Sequence, residues 1–168
     1  MAESVYTEIE VAAPQATVFA LLTDPDQIVR WIGTEANLDA SPGGLFLVNV
    51  GGRHMARGEF TEVIPVHRLA YSFGWEDNET VPPGSSHVEI DLIARDAGTL
   101  IRFTHSGLPN AKERDSHRRG WEHYLSRLKI TADGGHVDPD VPRICDFHLR
   151  AADARNPNQA RHASTRPL

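Results

Sequence analysis

The sequence predicts an α+β domain in which one long helix lies across a face of a curved antiparallel sheet. Three observations carry this. Residues 110–131, NAKERDSHRRGWEHYLSRLKIT, place Trp121, Tyr124, Leu125 and Leu128 at i, i+3, i+4 and i+7 on one helical face, with charges on the other. Residues 45–105 read as strands separated by tight-turn signals, and tight turns imply antiparallel pairing because parallel strands need long crossovers. No second helix of comparable length is available to cover the apolar stripe, so the strands must do it.

Residues 5–11, VYTEIEV, alternate with period two and predict a half-buried strand. Pro14, at the first helical position, opens a short helix carrying Val18, Phe19, Leu21 and Leu22. Thr23-Asp24-Pro25 ends it, and Asp24 or Asp26 caps a second short helix with Ile28, Trp31 and Ile32. Strands follow at 45–50, 55–63 and 68–75, the first two joined by the hairpin signal Gly51-Gly52. Residues 76–86, rich in proline, glycine and acids, form a loop, and a last hairpin joins 87–95 to 99–105. Asn110 is placed as the N-cap of the long helix, Glu113 in capping-box position, and Gly134-Gly135 beyond its end.

At 168 residues the chain is expected to hold one domain, residues 1–133, and a tail, residues 134–168. Residues 143–168 carry five arginines against Asp146 and Asp153. Such a basic, proline-containing tail is expected to be disordered or loosely docked, with room for one helical turn at 144–149, and its removal to cost little stability. The net charge of −6 argues against a nucleic-acid partner. A single cysteine, Cys145, excludes an internal disulfide and fits a reducing compartment. The N-terminus, MAESVYTEIE, has neither a basic nor an apolar leader segment, and no window reaches the roughly 20 apolar residues that span a bilayer. A cytoplasmic protein without membrane contact, monomeric or homodimeric, is the expectation.

Several segments carry a family resemblance. APQATVFALLTDP at 13–25 followed by Trp31 resembles the opening of the activator-of-heat-shock-protein-90-ATPase homologue family, within the START-like or SRPBCC superfamily. The likeness continues through GGLF at 43–46, GEFTEV at 58–63, RLAYSF at 68–73, HSGLP at 105–109 and HRRGWEHYLSRL at 117–128. It covers about residues 4–131, and order and spacing together make it specific where each motif alone is weak. The resemblance implies a helix-grip fold, a bent antiparallel sheet around the C-terminal helix with a mostly apolar cavity between them. Relatives include lipid-transfer domains, the birch-pollen allergen and aromatic polyketide cyclases. Binding of an apolar or aromatic small molecule is the leading expectation. Regulation of the heat-shock protein 90 ATPase in a stress response, and a cyclase, dehydratase or hydrolase activity, are the alternatives.

Alternation sets the inward faces. Phe46, Val48 and Val50 share one side of their strand, and Thr99, Ile101, Phe103 and His105 share one side of the last. The expected cavity wall is Trp31, Phe46, Val48, Tyr71, Phe73, Trp75, Ile101, Phe103, Trp121 and Tyr124, with His105 and His117 as its polar contacts. His105 is the one candidate catalytic acid or base. Glu62 or Asp91 would turn inward only if a bulge shifted the register. Metal binding is not expected: among nine histidines there is no HxH, HExxH or CxxC spacing, and His117 and His123 do not share a helical face. The sequence shows no GxSxG elbow and no phosphate-cradling loop, so neither a nucleophilic serine nor a cofactor is expected.

Overall fold

The computed structural model describes residues 3–140, so Cys145 and the expected turn at 144–149 lie outside the described residues. The chain runs β1 (Val5–Val11), α1 (Gln15–Thr23), α2 (Pro25–Ile28), β2 (Glu35–Leu38), β3 (Leu45–Val50), β4 (His54–Ile64), β5 (Arg68–Phe73), β6 (Ser86–Arg95), β7 (Gly98–Ser106), α3 (Ala111–Ala132). Its strands form one bent antiparallel sheet in the order β1-β7-β6-β5-β4-β3-β2, with α3 laid on the inner face. This is the α+β helix-grip architecture that the sequence predicts. Among the described residues no helix is long and apolar enough to cross a membrane.

Local chemistry explains the elements. The Asn110 side chain accepts from the Glu113 backbone N–H at 2.9 Å, closing the first turn of α3, and Lys129 bridges to Asp133 at 3.2 Å in the last. The buried stripe of α3 runs His117, Trp121, Tyr124, Leu125, Leu128 and Ala132. Asp24, not Asp26, caps α2, while Pro14 stands at the N-cap of α1 rather than inside it. The bend after α2 is held by the Trp31 indole N–H, which donates to the Leu21 carbonyl at 2.8 Å.

Two features differ from the sequence expectation. β2 pairs with β3 along Glu35–Leu38, where EANL offers only a weak alternating pattern. Trp75 lies past the end of β5 and pairs with Ala56 through an isolated bridge. The strand stops there because Gly74 packs against the next loop so closely that a Cβ would lie 1.9 Å from the Pro82 carbonyl oxygen. A bulge does occur in β4 between Phe60 and Glu62, yet it leaves Glu62 outside. Glu62 and Asp91 both bind the Arg68 guanidinium on the outer face, at 2.6 and 2.8 Å.

The first seven residues of the expected tail are part of the domain. Beyond α3 the chain turns back, and Asp140 is 2% exposed. Its carboxylate accepts from the backbone N–H of Gly33 at 2.7 Å and of Gly51 at 2.9 Å, and from the Tyr124 hydroxyl at 3.0 Å. Arg127 adds a bond to the Asp138 carbonyl at 2.8 Å. An acid among prolines and glycines gives no signal in sequence that it will be buried; three converging donors supply the reason. Asp140→Ala strands two backbone N–H groups and should lower the unfolding free energy by about 2 to 4 kcal/mol in urea titration. A change below about 0.5 kcal/mol would show that the segment is not latched.

Candidate functional site: an apolar cavity beneath the long helix

Helix α3 packs directly on the β1 side of the sheet, where Leu125 and Leu128 meet the core. Over β3, β4 and β5 it stands clear, and a cavity of about 130 Å³ remains. Its walls are Phe46, Val48 and Val50 of β3, Ala56 of β4, and Leu69, Tyr71 and Phe73 of β5. The α1–α2 bend contributes Leu22, Ile28, Trp31 and Ile32; α3 contributes Ser116, His117, Gly120, Trp121 and Tyr124. His54, Trp75, Arg119 and His123 are less buried and form the rim. Phe46 and Tyr71 stack face to face at 4.1 Å and 12°, and Phe73 meets Trp75 edge-on at 5.3 Å.

Two tryptophan–histidine bonds frame the space. The Trp121 indole N–H donates to Nδ1 of His105 at 2.9 Å. That nitrogen therefore carries no proton, and Nε2–H donates to Ser86 Oγ at 2.8 Å, whose own hydroxyl donates to the Phe73 carbonyl at 2.8 Å. Burial, with His117 and His87 nearby, pushes the His105 pKa down to about 3. The Trp75 indole N–H likewise donates to His117 Nε2 at 3.0 Å, leaving Nδ1–H to donate to the Glu113 carbonyl at 2.8 Å. Both imidazoles are thereby held in one neutral tautomer.

Nine of the residues expected from sequence line the cavity: Trp31, Phe46, Val48, Tyr71, Phe73, Trp75, His117, Trp121 and Tyr124. Three do not. Ile101, Phe103 and His105 lie on β7 behind Trp121, whose ring meets that of Phe103 at 4.4 Å and screens the strand from the space. His105, the candidate acid–base group, is fully buried with both ring nitrogens bonded and stands outside the cavity lining. Val50 and Leu69 were legible by alternation with Phe46 and Tyr71. His54, Ala56, Ser116, Gly120 and His123 carry no pattern that marks them. Among the described residues no group of three or more histidine, cysteine or acidic side chains is placed to hold a metal ion.

Among the described residues, the one formally charged side chain in the lining is Arg119, an exposed rim residue bonded to Asp115. His123, also on the rim, has its pKa held below the ordinary value by burial and then by Arg127. Tyr71 is pushed up by burial alone and stays a phenol.

A bent sheet, a gripping C-terminal helix and an apolar space between them define a START-like domain. The family described as activator of Hsp90 ATPase homolog 1-like protein matches residues 12–133, and the chain belongs to it. An AHSA1-like protein of Rhizobium etli, solved by solution NMR, is 58% identical over 83% of this chain and 88% of that one, at a TM-score of 0.68. CalU16 of Micromonospora echinospora is 28% identical over 91% of this chain and 88% of that one, with a TM-score of 0.66. The Aha1 dimer of Colwellia psychrerythraea shares the fold at 19% identity, over 79% and 98% of the two chains, with a TM-score of 0.69. No curated protein matches the chain.

The His105 pKa has a measurable consequence. Held below its unfolded value near 6.5, the imidazole contributes stability that is present above that pH and is lost as pH falls toward about 3. Nitrogen-15 NMR should find His105 in the Nε2–H tautomer without titration between about pH 8 and pH 4; a midpoint above about pH 5 would contradict it. Gly120 offers a second check. A Cβ built there meets nothing within 4 Å, so Gly120→Ala should stabilise the helix by about 0.5 to 1 kcal/mol in thermal or urea unfolding. Destabilisation would mean that the space beside Gly120 is filled.

Proposed function

We propose that this chain is a binding domain for a small apolar or aromatic molecule held between β3–β5 and α3. The observation that carries the reading is an aromatic-walled space of about 130 Å³ with, among the described residues, no formal charge inside its rim. An apolar cavity of roughly 150 Å³ takes up one benzene ring. The occupant is therefore one aromatic ring or its equivalent, and any larger ligand must extend past His54, Trp75 and Arg119. Burial supplies the affinity, at about 25 cal/mol per Å² of apolar area less the ordering cost of association. Against the enzyme alternative stands the hydrogen bonding of both His105 nitrogens within the protein.

Ethylbenzene is a direct probe. Saturable binding is expected at about 1 mM or tighter by NMR titration or calorimetry. Gly120→Leu sends a side chain into the open space beside the helix and should abolish binding without lowering the melting temperature. Absence of saturable binding, or binding untouched by Gly120→Leu, rules out this site.

The family match favours a second reading, regulation of the heat-shock protein 90 ATPase. It predicts co-purification with the cognate chaperone and a changed ATPase rate. Unchanged turnover at saturating concentration excludes it.

A further inference from the structure

We infer that Tyr71 is the specificity-determining donor of the cavity, and that the ligand is a neutral aromatic ring bearing a carbonyl oxygen. This rests on reading the cavity as a ligand site. β5 points Tyr71 inward, between Leu69 and Phe73 with period two, and the pairing of Tyr71 with Phe60 and Val88 fixes its height on the wall. The ring is clamped by the face of Phe46 at 4.1 Å and by Phe60 edge-on at 5.9 Å. Tyr71 is 5% exposed, and among the described residues its hydroxyl has no hydrogen-bond partner.

Of the wall's other polar groups, the three indoles and the Tyr124 hydroxyl are spent, whereas at the rim His123 Nε2 is buried with no hydrogen-bond partner among the described residues. The indoles of Trp31, Trp75 and Trp121 donate to Leu21, His117 and His105, and the Tyr124 hydroxyl donates to Asp140. A phenylalanine at position 71 would fill the same volume and stack on Phe46 without setting an unpaired hydroxyl in an apolar wall. The hydroxyl is therefore left over for something that enters the cavity. Since burial keeps it protonated, it acts as a donor and calls for an acceptor.

The chemistry of the wall narrows that acceptor. A carboxylate would be stripped of water with no cation inside the rim to offset it. A ligand hydroxyl would bring a proton of its own and need an acceptor as well, for which the lining offers His123 Nε2 at the rim and not beside Tyr71 on the inner wall. A carbonyl needs one donor and brings none.

Acetophenone and ethylbenzene match in size and differ in the carbonyl, so the pair separates hydrogen bonding from packing. Calorimetric titration of the full chain and of its Tyr71→Phe variant is the test. Tyr71→Phe should weaken acetophenone about tenfold and leave ethylbenzene within about twofold. The infrared carbonyl stretch of bound acetophenone should lie lower in the unaltered chain than in the variant. An equal change for both ligands, no change for either, or tighter binding of benzoate than of acetophenone overturns the inference and leaves the cavity standing. Failure of both ligands to bind the unaltered chain removes the site itself, and the inference with it.

Discussion

The hydrogen bond from the Trp121 indole to His105 decides how the long helix meets the sheet. His105 is on β7, fully buried, and its other nitrogen is tied through Ser86 to the Phe73 carbonyl at the end of β5. Trp121 must reach down to that ring, and its indole then lies against Phe103. The C-terminal half of α3 is thereby seated on the β1 side of the sheet. A second bond, from Trp75 to His117, props its N-terminal half above β3, β4 and β5. With the helix fixed at two points, the bent side of the sheet falls away beneath it and a space is left. In both bonds the histidine accepts, so each strut exists only while its imidazole is neutral.

The opposite end of the space is closed by polar contacts rather than by packing. Arg127, on α3, donates to the Trp31 carbonyl at 2.8 Å and so ties the helix to the α1–α2 bend. Asp140 then gathers Gly33, Gly51 and Tyr124 around one carboxylate. Gly33 and Gly51 both have positive φ, at 81° and 64°, a conformation in which an L side chain is strained. Two turns from distant parts of the chain thus present their N–H groups to a single acid. The charges at this end are thus matched within the protein, and a cavity held open this way is preorganised for a ligand at little further ordering cost.

Much of this was legible in the sequence because periodicity is a local signal. The stripe Trp121–Tyr124–Leu125–Leu128 and the alternation of β3, β6 and β7 each need only their own segment to be read. Which inward residue meets the space and which meets another side chain is a different question, set by where α3 lands. Phe46 and Phe103 look alike in sequence, both aromatic and both inward. One lines the cavity and the other packs behind Trp121. His105 shows the same limit: an inward histidine at a strand end can be read from alternation, but its bonds to Ser86 and Trp121 cannot. Asp140 was invisible because two of its three partners are backbone N–H groups, which have no sequence signature.

The space beneath α3 must admit a small apolar molecule. Xenon binds apolar cavities of this size by dispersion alone, without requiring a particular ligand chemistry. Crystals of the chain pressurised with xenon should show an anomalous peak bounded by Phe46, Tyr71, Phe73 and Trp121. Crystals that take up no xenon there, with those side chains in mutual contact across the gap, would contradict the claim.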